Sequence, residues 1–279
     1  MCSPADTAGR PPKMVLYPGR YGCDYKAADT SHKQHMHPDP NQGGEASALP
    51  RLADTVTLAG GFAAGAAVAL ASAGALEAAL RLLFVSYALD VLDGWVARHT
   101  SGSTPQGQML DRALDRVSQV VAPLVVYASW LSTQDAAGAM DALFALYAGG
   151  LVAAGFWRLV YRPVPSLDYF SGLPMFVHAV VLLSSVLSEE PVHPVILLAL
   201  LAASTAPIPY TRRLRGRGGP SPAPWPRLAV MLLLAAAPYD NGLIAELASL
   251  VRAAMLVYAL VGWLPPALGL TPGPRRAAG

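Results

Sequence analysis

From residue 52 onward the chain runs as a series of long apolar stretches broken by short polar connections. The stretches are too long for strands, so they predict helices. Approximate spans are 53–75, 77–98, 110–132, 139–161, 171–188, 192–210, 226–240 and 243–268. A membrane crossing needs roughly 20 apolar residues. The fifth and seventh spans are short by that measure, which sets the expected number at six to eight. The predicted fold class is therefore all-α, a polytopic membrane helix bundle. Residues 1–50 have a different pattern. They are polar, rich in Pro, Gly, Asp and His, and show no hydrophobic period. That composition predicts a disordered N-terminal tail, with no apolar core long enough for a signal peptide. The expected organisation is a tail at 1–50, a membrane domain at 51–270 and a short C-terminal tail at 271–279.

Composition agrees with the pattern. The chain has 279 residues, is 53% hydrophobic and 14% charged, and has a mean hydropathy of +0.38. The distribution of positive charge adds an orientation. Arg98, Arg112 and Arg116 flank the second connection, Arg158 and Arg162 the fourth, and Arg212, Arg213, Arg215 and Arg217 the sixth. Arg275 and Arg276 close the chain. The alternate connections, LSTQDAAGAMD, SEEPVH and PYDNG, carry no lysine or arginine. Positive charge is retained on the cytoplasmic side. Eight spans with both ends inside a cell membrane satisfy that rule. The arginines follow topology and do not gather on a soluble face, so nucleic acid is not an expected partner. Two cysteines, Cys2 and Cys23, imply no disulfide framework.

Against this apolar background one stretch carries four carboxylates. From Asp90 the chain has the skeleton D-x2-D-G-x2-A-R-x8-G-x3-D-x3-D, formed by Asp90, Asp93, Gly94, Ala97, Arg98, Gly107, Asp111 and Asp115. Ionisable groups in a membrane segment are costly and mark function by default. Asp90 and Asp93 are three apart and Asp111 and Asp115 four apart, so each pair shares one helix face. Two such helices side by side would converge four acids. A hard cation relieves their repulsion, and carboxylate oxygens suit Mg, Ca or Mn. Gly94 and Gly107 allow close approach of a ligand to the backbone. Arg98 offers a planar fork of donors that fits a phosphate. The combination points to metal-assisted chemistry on a phosphate ester, at the cytoplasmic face.

The stretch resembles the signature of the CDP-alcohol phosphotransferases, with every fixed position present at its usual spacing. The resemblance covers Asp90 to Asp115 and implies a membrane transferase of phospholipid biosynthesis. Such an enzyme moves a phosphate-linked lipid from a CDP-linked lipid donor to a small alcohol acceptor and releases CMP. It implies that Asp90, Asp93 and Asp111 hold one or two divalent ions, Mg or Mn. It implies that Asp115 is the general base and also touches metal. Gly94, Ala97, Arg98 and Gly107 would line the nucleotide pocket, bordered by Asp54 and Thr57 at the start of the first span. It further implies a homodimer, for which the small residues Ala153, Ala154 and Gly155 offer close approach.

The acceptor needs evidence outside the signature. The opening LADTVTLAGGFAAG, Ala122-Pro123, Arg158-Leu159 and the run Phe170 to Pro174 resemble the phosphatidylserine and archaetidylserine synthase branch. Serine is the expected acceptor on that resemblance, with Arg158 holding its carboxylate. The arginine after Asp115 departs from the branch and resembles the inositol-using enzymes. Arg112 and Arg116 would then serve a phosphorylated acceptor, inositol phosphate or glycerol phosphate. A rival of another class is an ion-binding or transport protein. Transporters place such acids near the midplane, often within repeats. Here the acids sit at a helix end and no repeat is visible. Two further groups need partners. Glu246 and Arg252 in the last span are six apart and do not face each other, so another helix is expected to supply the partner. His178 is expected to be a hydrogen-bonded packing residue.

Overall fold

The computed structural model describes residues 52–99, 105–134, 139–161, 169–211 and 223–268. The chain divides into Met1–Ala48 and Leu49–Gly279, and all described residues belong to the second unit. The expected tails at 1–50 and 271–279, and Arg162, lie outside the described residues.

The second unit is a helix bundle. Its order is α1 (Leu52–Ser72), α2 (Leu76–His99), α3 (Pro105–Arg116), a π-turn (Val117–Val121), α4 (Ala122–Leu131), α5 (Ala139–Tyr161), β1 (Tyr169–Ser171), α6 (Met175–Leu187), α7 (Pro194–Thr205), β2 (Pro209–Thr211), α8 (Trp225–Ala236), α9 (Gly242–Val261) and α10 (Leu264–Ala267). Each of the eight apolar stretches contains a helix. The third holds two, α3 and α4, joined through the π-turn. Three stretches are long and apolar enough to cross a membrane: Leu52–Ser72, Asp141–Tyr161 and Gly242–Ala267. Helix α2 is equally long but carries Asp90, Asp93 and Arg98 near its end.

Small residues bring α1 against α2. Gly60, Ala63, Ala64, Ala67 and Ala71 form one buried stripe on α1. They repeat at helical spacing, so the backbones approach closely. Ser86 on α2 donates to Gly60 O at 2.8 Å across that seam. At the far end of α2, Arg81 bonds Ala235 O at 2.9 Å and lies over the Tyr239 ring, fastening α8.

Helix α6 forms the centre. It has 13 residues, of which Val177, His178, Val181, Leu182 and Ser185 are among the most buried in the chain. At 1.5 Å per residue it is about 20 Å long, short of a bilayer core. Buried in protein, it does not need to match the lipid. Other helices are exposed instead. Helix α8 has no buried residue, and α9 exposes Leu243, Leu247, Leu250, Val257 and Leu260. An apolar outer face suits acyl chains.

The span ends differ from expectation where proline and glycine intervene. Helix α7 stops at Thr205 because Pro207 follows and Ala206 is extended. Helix α6 starts at Met175, after Pro174 in an extended conformation. The freed segments pair as a short antiparallel ladder, Tyr169↔Thr211 to Ser171↔Pro209. Arg252 finds its partner in the connection between α6 and α7, not on a helix. It forms an ion pair with Glu190 and donates to Ser188 Oγ at 2.9 Å.

Candidate active site

Helices α2 and α3 both present their acids to one small cavity. Its walls include Asp90, Asp93, Asp111 and Asp115, together with Thr57, Gly60, Gly61, Ser86, Leu114 and Ser118. The sequence spacing acts as argued: each helix turns both of its acids to the same side. One carboxylate oxygen from each of Asp90, Asp93 and Asp111 lies within 4.8 Å of the others. Asp93 is buried, Asp111 half-buried and Asp90 open. Asp115 lines the same cavity without joining that trio.

Local contacts fix two of the acids. Thr57 Oγ1 donates to Asp93 Oδ2 at 2.7 Å, which ties α1 to α2 at the cavity. Gln119 Nε2 donates to Asp115 Oδ1 at 2.8 Å. Gly61 makes room for α3, since a Cβ there would lie 2.6 Å from Leu114 Cδ2. The ion pairs seen among the described residues, Arg81–Glu77 and Arg252–Glu190, lie outside this cluster. Four carboxylates gathered this closely repel one another. All-oxygen donors in this arrangement fit a hard divalent cation. Asp90, Asp93 and Asp111 have the mutual distances for holding one.

The remaining expected site residues divide. Gly94 and Ala97 follow the acids on α2. Arg98 is exposed at the helix end, and its Nη1 would lie 3.4 Å from a Cβ at Gly94. Gly107 and Asp54 sit in the first turns of α3 and α1, both partly buried. None of these five lines the acid cavity itself. Arg112 follows Asp111 on α3. Arg116 packs toward α5, its Cδ 3.8 Å from where a Cβ at Gly155 would be. Its Nε is buried and has no hydrogen-bond partner among the described residues.

Arg158 occupies a different setting from the one expected. Its Nη1 donates to Leu173 O at 2.6 Å and Ser204 O at 2.9 Å, and its Nη2 to Ser171 O at 3.0 Å. The guanidinium joins the ends of α5 and α7 to the loop before α6. That loop contains the run Phe170 to Pro174, and its geometry explains the glycine. Gly172 has φ +79°, and a Cβ there would lie 2.3 Å from Ser204 O. The motif is thus a tight turn that only glycine fits. The small residues expected at a dimer contact are also partly used inside the chain. Ala154 and Gly155 are buried, and a Cβ at Gly155 would meet Val120 Cγ2 at 3.3 Å.

Sequence reasoning missed Gln119 and Tyr87. Tyr87 Oη donates to Ser118 O at 2.9 Å beside the cavity. Tyr87 lies three residues before Asp90, on the same face of α2, and that spacing was the available signal.

With this geometry in place, the comparisons with known proteins decide the family. The profile of the CDP-alcohol phosphatidyltransferase family matches residues 51–207, a stretch that contains α1 to α7 and every acid of the cavity. The chain belongs to that family. A curated relative, the archaetidylinositol phosphate synthase of Methanothermobacter thermautotrophicus, is 38% identical over 106 residues. The match covers 38% of this chain, and the chain spans about half the length (51%) of that relative. The relative is named for inositol phosphate and not for serine. The expected placement in the serine branch therefore gains no support.

Proposed function

We propose that the protein transfers a phosphatidyl or archaetidyl group from a CDP-linked lipid to inositol phosphate, releasing CMP. The reaction class rests on the convergence of Asp90, Asp93, Asp111 and Asp115 in one cavity and on the family match. The acceptor rests on one observation above others. Arg116 follows Asp115 directly and keeps a buried, unpaired Nε, whereas the Arg158 guanidinium is engaged by three main-chain carbonyls. A phosphorylated acceptor would give Arg116 the charge-assisted bond it lacks. Arg112, next to Asp111 in the chain, would assist. The name of the curated relative points the same way.

In the proposed reaction the acceptor hydroxyl attacks the lipid-bearing phosphorus of the donor. The P–O bond to CMP breaks, and CMP leaves with that oxygen. Asp115 takes the hydroxyl proton, and its position beside the hydroxyl matters more than its intrinsic basicity. A divalent ion, Mg or Mn, held by Asp90, Asp93 and Asp111, would supply charge neutralisation on the pyrophosphate and the departing CMP. Thr57 holds the Asp93 carboxylate ready for that task. Arg98, at the open end of α2, would take a donor phosphate. Gly94, Ala97, Gly107 and Asp54 would border the nucleotide. The arginine pattern supports a multi-pass cell-membrane protein whose cavity would face the cytoplasm. The working unit is proposed to be a homodimer.

Purified protein supplied with a CDP-linked lipid and Mg or Mn tests this reading by CMP release. Inositol phosphate should support turnover well above serine or glycerol phosphate. Serine-dependent turnover with none from inositol phosphate would reverse the acceptor and leave the reaction class standing. No CMP release with any acceptor would remove the reaction class.

A further inference from the structure

The helix carrying Asp111 and Asp115 changes register directly after the last acid. Val117–Val121 form a π-turn, and Ala122 N–H donates to Val117 O, five residues back. The cause lies one residue further on. Pro123 has no N–H, and in a regular α-helix its ring would crowd the carbonyl four residues earlier, that of Gln119. One extra residue in the turn relieves the crowding, a known use of π-bulges. The same widening leaves Ser118 O opposite a proline nitrogen that cannot donate. Its partner comes from α2, where Tyr87 Oη donates to Ser118 O at 2.9 Å. Inside the turn, Gln119 Nε2 reaches back to Asp115 Oδ1 at 2.8 Å. Ser118 is buried and Gln119 half-buried, so the turn is enclosed beside the acid cavity.

We propose that Gln119 is a positioning residue for Asp115, set by the π-turn that Pro123 creates and Tyr87 pins. A carboxylate with one oxygen held by an amide is fixed in rotation, and its second oxygen is left to meet the acceptor hydroxyl. An amide N–H orients the base without competing for the proton, because it is not itself a base. This assignment also explains Ala122-Pro123 without reference to any acceptor: the proline shapes the helix that aims Asp115. The inference rests on the proposed phosphotransfer, in which Asp115 is the base.

The test is steady-state CMP release by detergent-purified protein with a CDP-linked lipid, Mg or Mn, and inositol phosphate. Gln119→Leu should lower kcat by about tenfold to a hundredfold, the effect of losing a bond to a charged group at a reacting centre. The donor KM and the melting midpoint should stay near wild type. Gln119→His, which keeps an N–H donor, should recover much of the rate. Tyr87→Phe should lower kcat less, with the donor KM again unchanged, because the turn loosens while Gln119 remains. Wild-type kcat in Gln119→Leu overturns the proposal, as does an equal loss of donor affinity and stability without recovery by Gln119→His. If Gln119→Leu does not fold, Tyr87→Phe decides: a selective loss of kcat supports the assignment and a wild-type kcat overturns it. A wild-type protein that releases no CMP with any acceptor shows instead that the reaction reading has failed, and this inference with it.

Discussion

Two polar regions lie inside this apolar bundle, and they are built on opposite principles. In the first, between α5, α6 and α7, Tyr147, His178 and Ser204 form a fully buried row. Tyr147 Oη is 2.9 Å from His178 Nδ1, and His178 Nε2 is 2.7 Å from Ser204 Oγ. Arg158 then binds Ser204 O and two carbonyls of the neighbouring turn. The row bridges three helices, and each of its side chains meets a protein partner. The second region is the acid cavity. It gathers four like charges whose described neighbours supply a threonine and a glutamine but no salt bridge. Burying polar groups is tolerable when each is paired and costly when it is not. The satisfied row therefore reads as a structural brace. The acid cluster is the region that a bound cation would stabilise, and the proposed function places its metal there.

The comparison breaks most sharply at Asp115. Asp115→Asn keeps the size and the contact to Gln119 but removes the base. Loss of transfer by about a thousandfold is expected, within the range for general-base catalysis, with binding of the CDP-linked lipid largely kept. Excess chelator should abolish turnover in the wild type. Measured CMP release checks both, and full activity in chelator would remove the metal from the reading.

The brace should respond in stability and not in chemistry. His178→Leu leaves the Tyr147 hydroxyl and the Ser204 hydroxyl buried without their ring partner. At ~1–3 kcal/mol for each of the two unsatisfied groups, a loss of about 2–6 kcal/mol is expected. A lowered melting midpoint in detergent, with kcat per folded molecule unchanged, is the outcome that keeps the two regions separate. A selective fall in kcat would join them.

How far the sequence carried this division depends on the kind of contact. The eight apolar stretches and the acid skeleton were legible because both are local: hydrophobic runs set helices, and spacings of three and four set a shared face. The convergence of Asp90, Asp93 and Asp111 follows from those spacings once α2 and α3 lie side by side. The setting of Arg158 was not legible, for the opposite reason. Its partners, Leu173 O, Ser171 O and Ser204 O, are main-chain atoms up to 46 residues away, and main-chain carbonyls leave no mark in the side-chain pattern. Its place at a helix end and an arginine match to a family branch both looked like ligand binding. The π-turn was equally hidden, since Pro123 reads in sequence as a residue suited to the first turn of a helix. Only the unbroken run from Pro105 to Leu131 shows that it sits inside one.

Arg116 tests the boundary between the regions, because it leaves the acid helix toward α5. Arg116→Lys keeps the charge and loses the planar fork. The KM for inositol phosphate should rise about tenfold, the scale of one lost charge-assisted bond, and the KM for the donor should hold. Equal weakening of both substrates would place Arg116 with the structural groups.

The finest comparison applies one steric insult to each region. A Cβ at Gly61 would lie 2.6 Å from Leu114 Cδ2, and a Cβ at Gly150 would lie 2.5 Å from Leu201 Cδ2. In both cases the obstacle is the end of a leucine side chain, which can turn aside. Overpacking of this kind costs about 1–3 kcal/mol before relaxation, so both Gly61→Ala and Gly150→Ala should fold with a slightly lowered melting midpoint. Their kinetics should differ. Leu114 forms part of the acid cavity wall, and its displacement alters the space beside Asp111 and Asp115. Leu201 sits between α5 and α7 and lines no part of that cavity. Gly61→Ala should therefore change kcat/KM for the donor by about threefold to tenfold, a shift of the size a small misplacement produces at a reacting centre. Gly150→Ala should leave kcat/KM at the wild-type value. If both variants lose activity in proportion to stability alone, the cavity wall tolerates movement, and the separation between brace and site is confined to the polar groups.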